Sequence, residues 1–118
     1  RVAIANAALA PYGVAAEAVL ARPPFAGVER RLLRGASVQQ AYQFQATGAA
    51  ELALVARSLV SAADRRWTLI PAAWHAPIEQ QAIVVTGGRE SSAAAFLAHL
   101  AGSAGQARLK RDGYDPCP

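Results

Sequence analysis

Methionine is missing from this chain of 118 residues, cysteine and lysine occur once each, and acidic residues number only eight. Each scarcity removes a class of function. The single cysteine, Cys117, has no partner for an internal disulfide and no neighbour at metal-ligand spacing. It reads as an exposed thiol, with an intermolecular disulfide in an oxidising compartment as the sharper reading. The carboxylates are scattered, with no two on one helix face in an acid/base arrangement. Ser37, Ser58, Ser91 and Ser92 stand outside any nucleophile-elbow pattern, and His75 and His99 have no carboxylate at a telling spacing. Thr86-Gly87-Gly88 is a turn, not a nucleotide-cradling loop. An enzyme is therefore not expected. No apolar run reaches the roughly 18 residues that a membrane-crossing helix needs. The lack of methionine is in keeping with a segment taken from inside a longer polypeptide.

The formal net charge of +4 is carried almost wholly by arginine. Only Arg30, Arg31 and Arg34, and then Arg108, Lys110 and Arg111, are grouped, and aromatic residues do not alternate with them. Nucleic-acid stacking surfaces need that alternation, so no nucleic-acid partner is expected. A mild positive field does favour the approach of small anions. Hydrophobic residues make up 53% of the chain, but alanine supplies much of this. Alanine buries little area, so the core of one modest domain leans on Val, Leu, Ile and the aromatics.

The start of the chain is the most informative part. The stretch Ala5 to Gly13 reads as a strand that ends, a short loop, and then Pro11 opening a helix that runs on through Leu20, with Val2 and Ile4 pointing one way from the strand. Proline suits the first helical turn because its φ is already helical and the N–H it lacks has no intrahelical partner there. The device repeats: Arg30 to Arg34 reads as a strand, Ser37 as an N-cap, Val38 to Thr47 as a helix stopped by Gly48, and Glu51 to Ala56 as a third strand. Strands alternating with helices predict a mainly parallel sheet, whose ligands sit at the carboxyl ends of the strands. Helix N-termini gather there, presenting N–H groups and the positive end of the helix dipole to an anion.

In the second half, Trp67 to Pro71 reads as a short strand and Ala82 to Val85 as a buried strand ended by Thr86-Gly87-Gly88. A helix is expected from Glu90 to Ala101, with Ala94, Leu97, Ala98 and Ala101 on one face. Gly102-Ser103 breaks it, and a further helix runs from Ala104 to Lys110 before Asp112-Gly113-Tyr114.

Several blocks come in a telling order: Ile4-Ala5-Asn6, Ala10-Pro11-Tyr12-Gly13, Ser37-Val38-Gln39-Gln40-Ala41, Ala46-Thr47-Gly48-Ala49-Ala50-Glu51, Pro77 to Val84, Ala93 to Leu97, and Arg111-Asp112-Gly113-Tyr114. In this order and spacing the chain resembles the periplasmic molybdate-binding proteins of bacterial ABC importers, over nearly its whole length. The resemblance implies an α/β type II periplasmic-binding-protein fold present as a partial chain, since members are longer and two-lobed. Residues 1–76 are then expected to be most of the second lobe. Residues 77–85 form a strand crossing the hinge, and residues 86–118 are C-terminal helices of the first lobe. Those helices would have lost their sheet, so a domain-swapped or otherwise self-associated dimer of the chain is expected.

The resemblance also implies the site. The backbone N–H groups of Tyr12 and Val38 are expected to donate to the oxyanion, so the metal is reached only through molybdate oxygens. Read without the resemblance, Tyr12 is an aromatic packing at a helix start and Val38 is core. Some members carry a tyrosine after the third strand; here Ala56 occupies that place, and Ser37, Arg57 and Ser58 are further candidates. The implied ligand is molybdate, with tungstate expected alongside it because the two anions nearly coincide in size; no cofactor is expected. The implied partner is the membrane permease of the importer, and the implied compartment is the periplasm. Two alternatives stay open: a binding protein for another small anion, and the ligand-sensing effector module of a transcription regulator.

Overall fold

A computed structural model describes residues 1–116, so Cys117 lies outside the described residues. The chain divides into two compact units, Arg1–Ile78 and a second from Glu79 onward.

The first unit is built on a three-stranded parallel sheet of β1 (Val2–Ala5), β2 (Leu32–Gly35) and β3 (Leu52–Ala53), in the order β2-β1-β3. β1 is central. Its residues pair Val2↔Leu32 through Ala5↔Gly35 on one side and Val2↔Leu52, Ala3↔Ala53 on the other. Helix α1 (Pro11–Leu20) follows β1, and α2 (Val38–Ala46) follows β2. α1 connects the paired strands β1 and β2, and α2 carries the chain from β2 past β1 to β3, since parallel strands need a crossover connection. Burial follows from centrality: Ala3, Ile4 and Ala5 are fully inaccessible, and Ala3, Ala41 and Ala50 form a core against which Leu33, Phe44, Ala53 and Val55 pack. Ile4 is the one large side chain among the described residues that is fully buried. Alanine at the contact points lets helix and sheet approach closely, at the cost of a thin core.

The helices end as their residues dictate. Pro11 stands at the start of α1, after Ala10 in an extended conformation. Ser37 caps α2, its Oγ accepting from the Gln40 N–H at 3.1 Å. At the other end, the Thr47 N–H and Oγ1 both donate to the Gln43 carbonyl, and Gly48 turns the chain at φ 80°. The expected helix to Thr47 thus closes one residue earlier, with Thr47 as its cap.

Two strand expectations in this unit shift. Arg30 and Arg31 belong to a 3-10 turn, Val28–Arg31, entered through Gly27 at φ 92°. The ladder begins only at Leu32, where β1 offers a partner in Val2. The third strand is paired over Leu52–Ala53 alone; Leu54 N–H still donates to the Ala3 carbonyl at 2.9 Å, and the chain stays extended to Ala56. The expected strand at Trp67 to Pro71 does not form. That stretch is irregular, and the next element is a 3-10 turn at Ala72–Trp74, where Arg22 stacks over the Trp74 ring at 4.7 Å.

The second unit contains α3 (Glu90–Ala101) and α4 (Ser103–Arg111), split at Gly102 as expected. Gly105 is needed where α4 folds back: a Cβ there would lie 2.4 Å from the Leu100 carbonyl oxygen. Gln106 Nε2 donates to that same oxygen at 3.0 Å. α4 ends with Tyr114 N–H donating to the Leu109 carbonyl and Gly113 N–H to Lys110, with Gly113 at φ 97°. This is the paired 6→1 and 5→2 closure that glycine permits. The buried strand expected at Ala82 to Val85 is absent: the segment joins no ladder among the described residues, and Ile83 and Val85 are 81% and 74% exposed. Apolar, β-branched residues favour a strand only when neighbours cover them.

Candidate functional site

β1 and β2 run parallel and side by side, so the helices that follow them start at the same edge of the sheet. The strand ends are tied together there: Asn6 N–H donates to the Gly35 carbonyl at 2.7 Å, one step past the Ala5↔Gly35 pair. Asn6 organises the loop as well. Its Oδ1 accepts from Ala8 N–H at 3.0 Å, and its carbonyl accepts from both Leu9 and Ala10. An asparagine side chain that bonds two residues ahead builds such a turn without help.

Gly13 brings the start of α1 down onto this edge. A Cβ at Gly13 would lie 2.4 Å from the Ala5 carbonyl oxygen and 2.6 Å from the Ala7 nitrogen, so only glycine permits the approach. Tyr12 occupies the first turn of α1, half-buried. Across the edge, Val38 is the first residue of α2, also half-buried, behind the exposed Ser37. The first N–H groups of a helix have no intrahelical acceptor. At α2, Gln40 N–H is taken by Ser37 Oγ and Ala41 N–H by the Ser37 carbonyl. Among the described residues, no acceptor takes the N–H of Val38 or Gln39.

The third set of candidates lies on the other side of β1, after β3. Ala56 is buried, 3% exposed, and its carbonyl accepts from Leu59 N–H at 3.0 Å. Arg57 and Ser58 follow in a 3-10 turn, Arg57 exposed and Ser58 half-buried. The parallel order β2-β1-β3 therefore brings Ser37 and Val38, then Tyr12, then Ala56 to Ser58, to the carboxyl edge of one sheet. Arg34 of β2 pairs with Glu17 of α1 at 3.3 Å, both partly exposed.

Gln40 belongs to this turn although it escapes a reading of caps alone. Its Oε1 accepts from Ala36 N–H at 2.7 Å while its own N–H bonds Ser37 Oγ. The Ser-x-x-Gln spacing at 37–40 is the sequence signal for such reciprocal capping. Of the two histidines, His75 Nδ1 contacts the Ala76 carbonyl at 2.7 Å, and His99 lies on α3. Among the described residues, no three His, Cys, Asp or Glu side chains converge on a point that would hold a metal ion.

A sheet edge that gathers two helix starts, with backbone donors and no converging acids, suits binding of a small anion. Known proteins are similar to this chain. The molybdate-binding protein ModA of Azotobacter vinelandii is 39% identical over 118 residues, and that of Rhodobacter capsulatus is 35% identical over 117. These alignments take in 94% and 96% of this chain but 46% of each relative, so the chain spans about half their length. The solved structure of the Azotobacter vinelandii periplasmic molybdate-binding protein superposes with a TM-score of 0.88 at 30% identity, covering all of this chain and 55% of that one. The sequence model for bacterial extracellular solute-binding proteins matches residues 1–115, and the chain belongs to that family.

Proposed function

We propose that this chain is part of the solute-binding component of an ABC importer, and that it captures molybdate, and tungstate with it, in the periplasm for delivery to a membrane permease. The observation that carries this reading is the 39% identity, over 94% of the chain, to a protein named as molybdate-binding. The relatives are named as binding proteins, which supports a role without catalysis.

In this reading the backbone N–H groups of Tyr12 and Val38 donate to the oxyanion from the starts of α1 and α2. Neutral, fixed donors suit a tetrahedral dianion, because hydrogen bonds to an ionised acceptor are strong and directional and helix N-termini favour negative charge. Ser37, Arg57 and Ser58 stand at the same edge as further donors, while Ala56 contributes only backbone. Residues 1–76 supply one lobe, residues 77–85 cross towards the other, and α3 and α4, within residues 86–118, pack on it. The remaining donors belong to that other lobe. The uncovered apolar residues of the second unit are met, in the isolated chain, by a second copy through exchange of elements.

The test is calorimetric titration of molybdate into the complete two-lobed polypeptide and into the isolated 1–118 chain. The complete protein is expected to bind tightly and the isolated chain weakly or not at all, since a dehydrated dianion needs donors on all sides. No binding by the complete protein would overturn the molybdate reading. Sub-micromolar binding by a monomeric 1–118 chain would overturn the two-lobed account.

A further inference from the structure

We propose that Gln40 is a positioning residue for the anion site: its side chain holds the turn between β2 and α2 in the one shape that presents the Val38 amide to the ligand. The inference rests on the oxyanion reading and adds to it a side chain that touches no ligand.

Three observations meet at this residue. Gln40 Oε1 accepts from Ala36 N–H at 2.7 Å, so the donor just outside the helix is withdrawn from solvent and ligand alike. The Gln40 N–H is itself fixed by Ser37 Oγ at 3.1 Å, which anchors the backbone from which the side chain reaches back. Gly35 makes room for that reach: a Cβ at Gly35 would come within 3.1 Å of the Gln40 Cβ and 3.0 Å of the Ala41 nitrogen. Around this turn the backbone N–H groups of Ala36, Gln40 and Ala41 each have an internal acceptor, and those of Ser37, Val38 and Gln39 are left open. A turn closed from both sides keeps its remaining N–H groups aimed before the anion arrives, so less ordering is left for the binding step.

Removal of the Gln40 side chain frees the Ala36 N–H and loosens the turn without deleting any proposed ligand. The experiment compares Gln40→Ala with Thr47→Ala in the complete two-lobed protein, by molybdate titration and thermal melts. Thr47 bonds the Gln43 carbonyl at the far end of the same helix, so its loss weakens α2 without touching the turn. Gln40→Ala is expected to lower molybdate affinity by about threefold to tenfold. Thr47→Ala is expected to lower the melting temperature with affinity unchanged. Equal affinity of folded Gln40→Ala and wild type, with wild type binding, would overturn the positioning role and leave the oxyanion reading standing. Equal losses in both variants would reduce Gln40 to general helix support and overturn the proposal. A wild-type protein that binds no molybdate overturns both readings. If Gln40→Ala does not fold, amide exchange in the wild-type protein decides: an Ala36 N–H exchanging at the open-chain rate overturns the proposal, and a protected one supports it.

Discussion

Val2-Ala3-Ile4-Ala5 and Ala82-Ile83-Val84-Val85 are nearly the same tetrapeptide in chemical terms, and they have opposite fates. The first is the central strand of a parallel sheet, with Ile4 fully inaccessible. The second joins no ladder among the described residues, and Ile83 is 81% exposed. Hydrophobicity and β-branching are shared; neighbours are not. β1 has β2 on one side, β3 on the other and two helices to cover it, all drawn from the next 50 residues. The 82–85 run has within its own unit only α3 and α4, which pair with each other. Strand propensity is a readiness to fit a covered, pleated surface, and the surface must come from elsewhere in the chain or from another molecule.

The sharpest way to break this contrast is to truncate both isoleucines. Ile4→Ala removes buried methylenes from a core with little other large apolar volume, and is expected to cost about 2–5 kcal/mol of stability. Ile83→Ala should stay within about 0.5 kcal/mol, as exposed substitutions do. It should instead reduce self-association of the isolated chain in light scattering, since exposed apolar residues of this kind are covered by other chains. Paired urea melts decide the first point. Comparable losses at both positions would mean that the 82–85 run is buried in solution and that the contrast is false.

The same contrast explains what is legible from residues alone. Pro11, Ser37 and Gly48 mark helix boundaries through local chemistry, and all three act where their residue types predict. The parallel sheet follows from the alternation of strand and helix. The start of β2 is misplaced because Arg30 and Arg31 have no intrinsic reason to refuse a strand. What moves them is tertiary: β1 begins at Val2, so pairing begins at Leu32. Of the site, the gathering of Tyr12 and Val38 at one sheet edge is legible because parallel topology brings successive helix starts together. The roles of Asn6 and Gln40 are not, since they are hydrogen bonds to particular backbone groups. Only the Ser-x-x-Gln spacing carries a hint of the second.

If the oxyanion reading is correct, the well-covered unit also carries the chemistry, and a single backbone atom tests this. In the complete protein, Val38→Pro should weaken molybdate binding far more than Val38→Ala. Proline is tolerated at the first helical position, so α2 survives; what is lost is the N–H. Alanine keeps the N–H and removes only apolar volume. A hydrogen bond to a charged acceptor contributes about 1.5–3 kcal/mol, or about tenfold to a hundredfold in affinity. Tungstate should suffer equally. Titrations of both anions, with melts to establish folding, supply the answer; equal affinities in two folded variants would remove the Val38 amide from the site.

The smallest effect is expected where both units look alike, at their surface ion pairs. In the first, Asp64 accepts from Arg66 Nη2 at 2.7 Å and from the Arg66 backbone N–H at 2.9 Å. The Arg66 guanidinium and then its backbone N–H hold the Asp64 carboxyl down to about 2. In the second, Arg108 and, more weakly, Arg111 lower Asp112 in the same direction. A carboxyl whose folded pKa is lowered adds stability above its unfolded value, near 3.9. That contribution fades as pH falls, for Asp64 on the way down to about 2. Both pairs stand in water, where screening and side-chain entropy cancel most of the gain. Asp64→Asn and Asp112→Asn should therefore leave the melting temperature at pH 7 without a resolvable change. NMR titration should still find the Asp64 carboxyl low in the wild type and restored towards the ordinary aspartate range in Arg66→Ala. A melting shift at pH 7 rivalling that of Ile4→Ala would mean that surface charge, and not the covering of β1, sets the stability of the first unit.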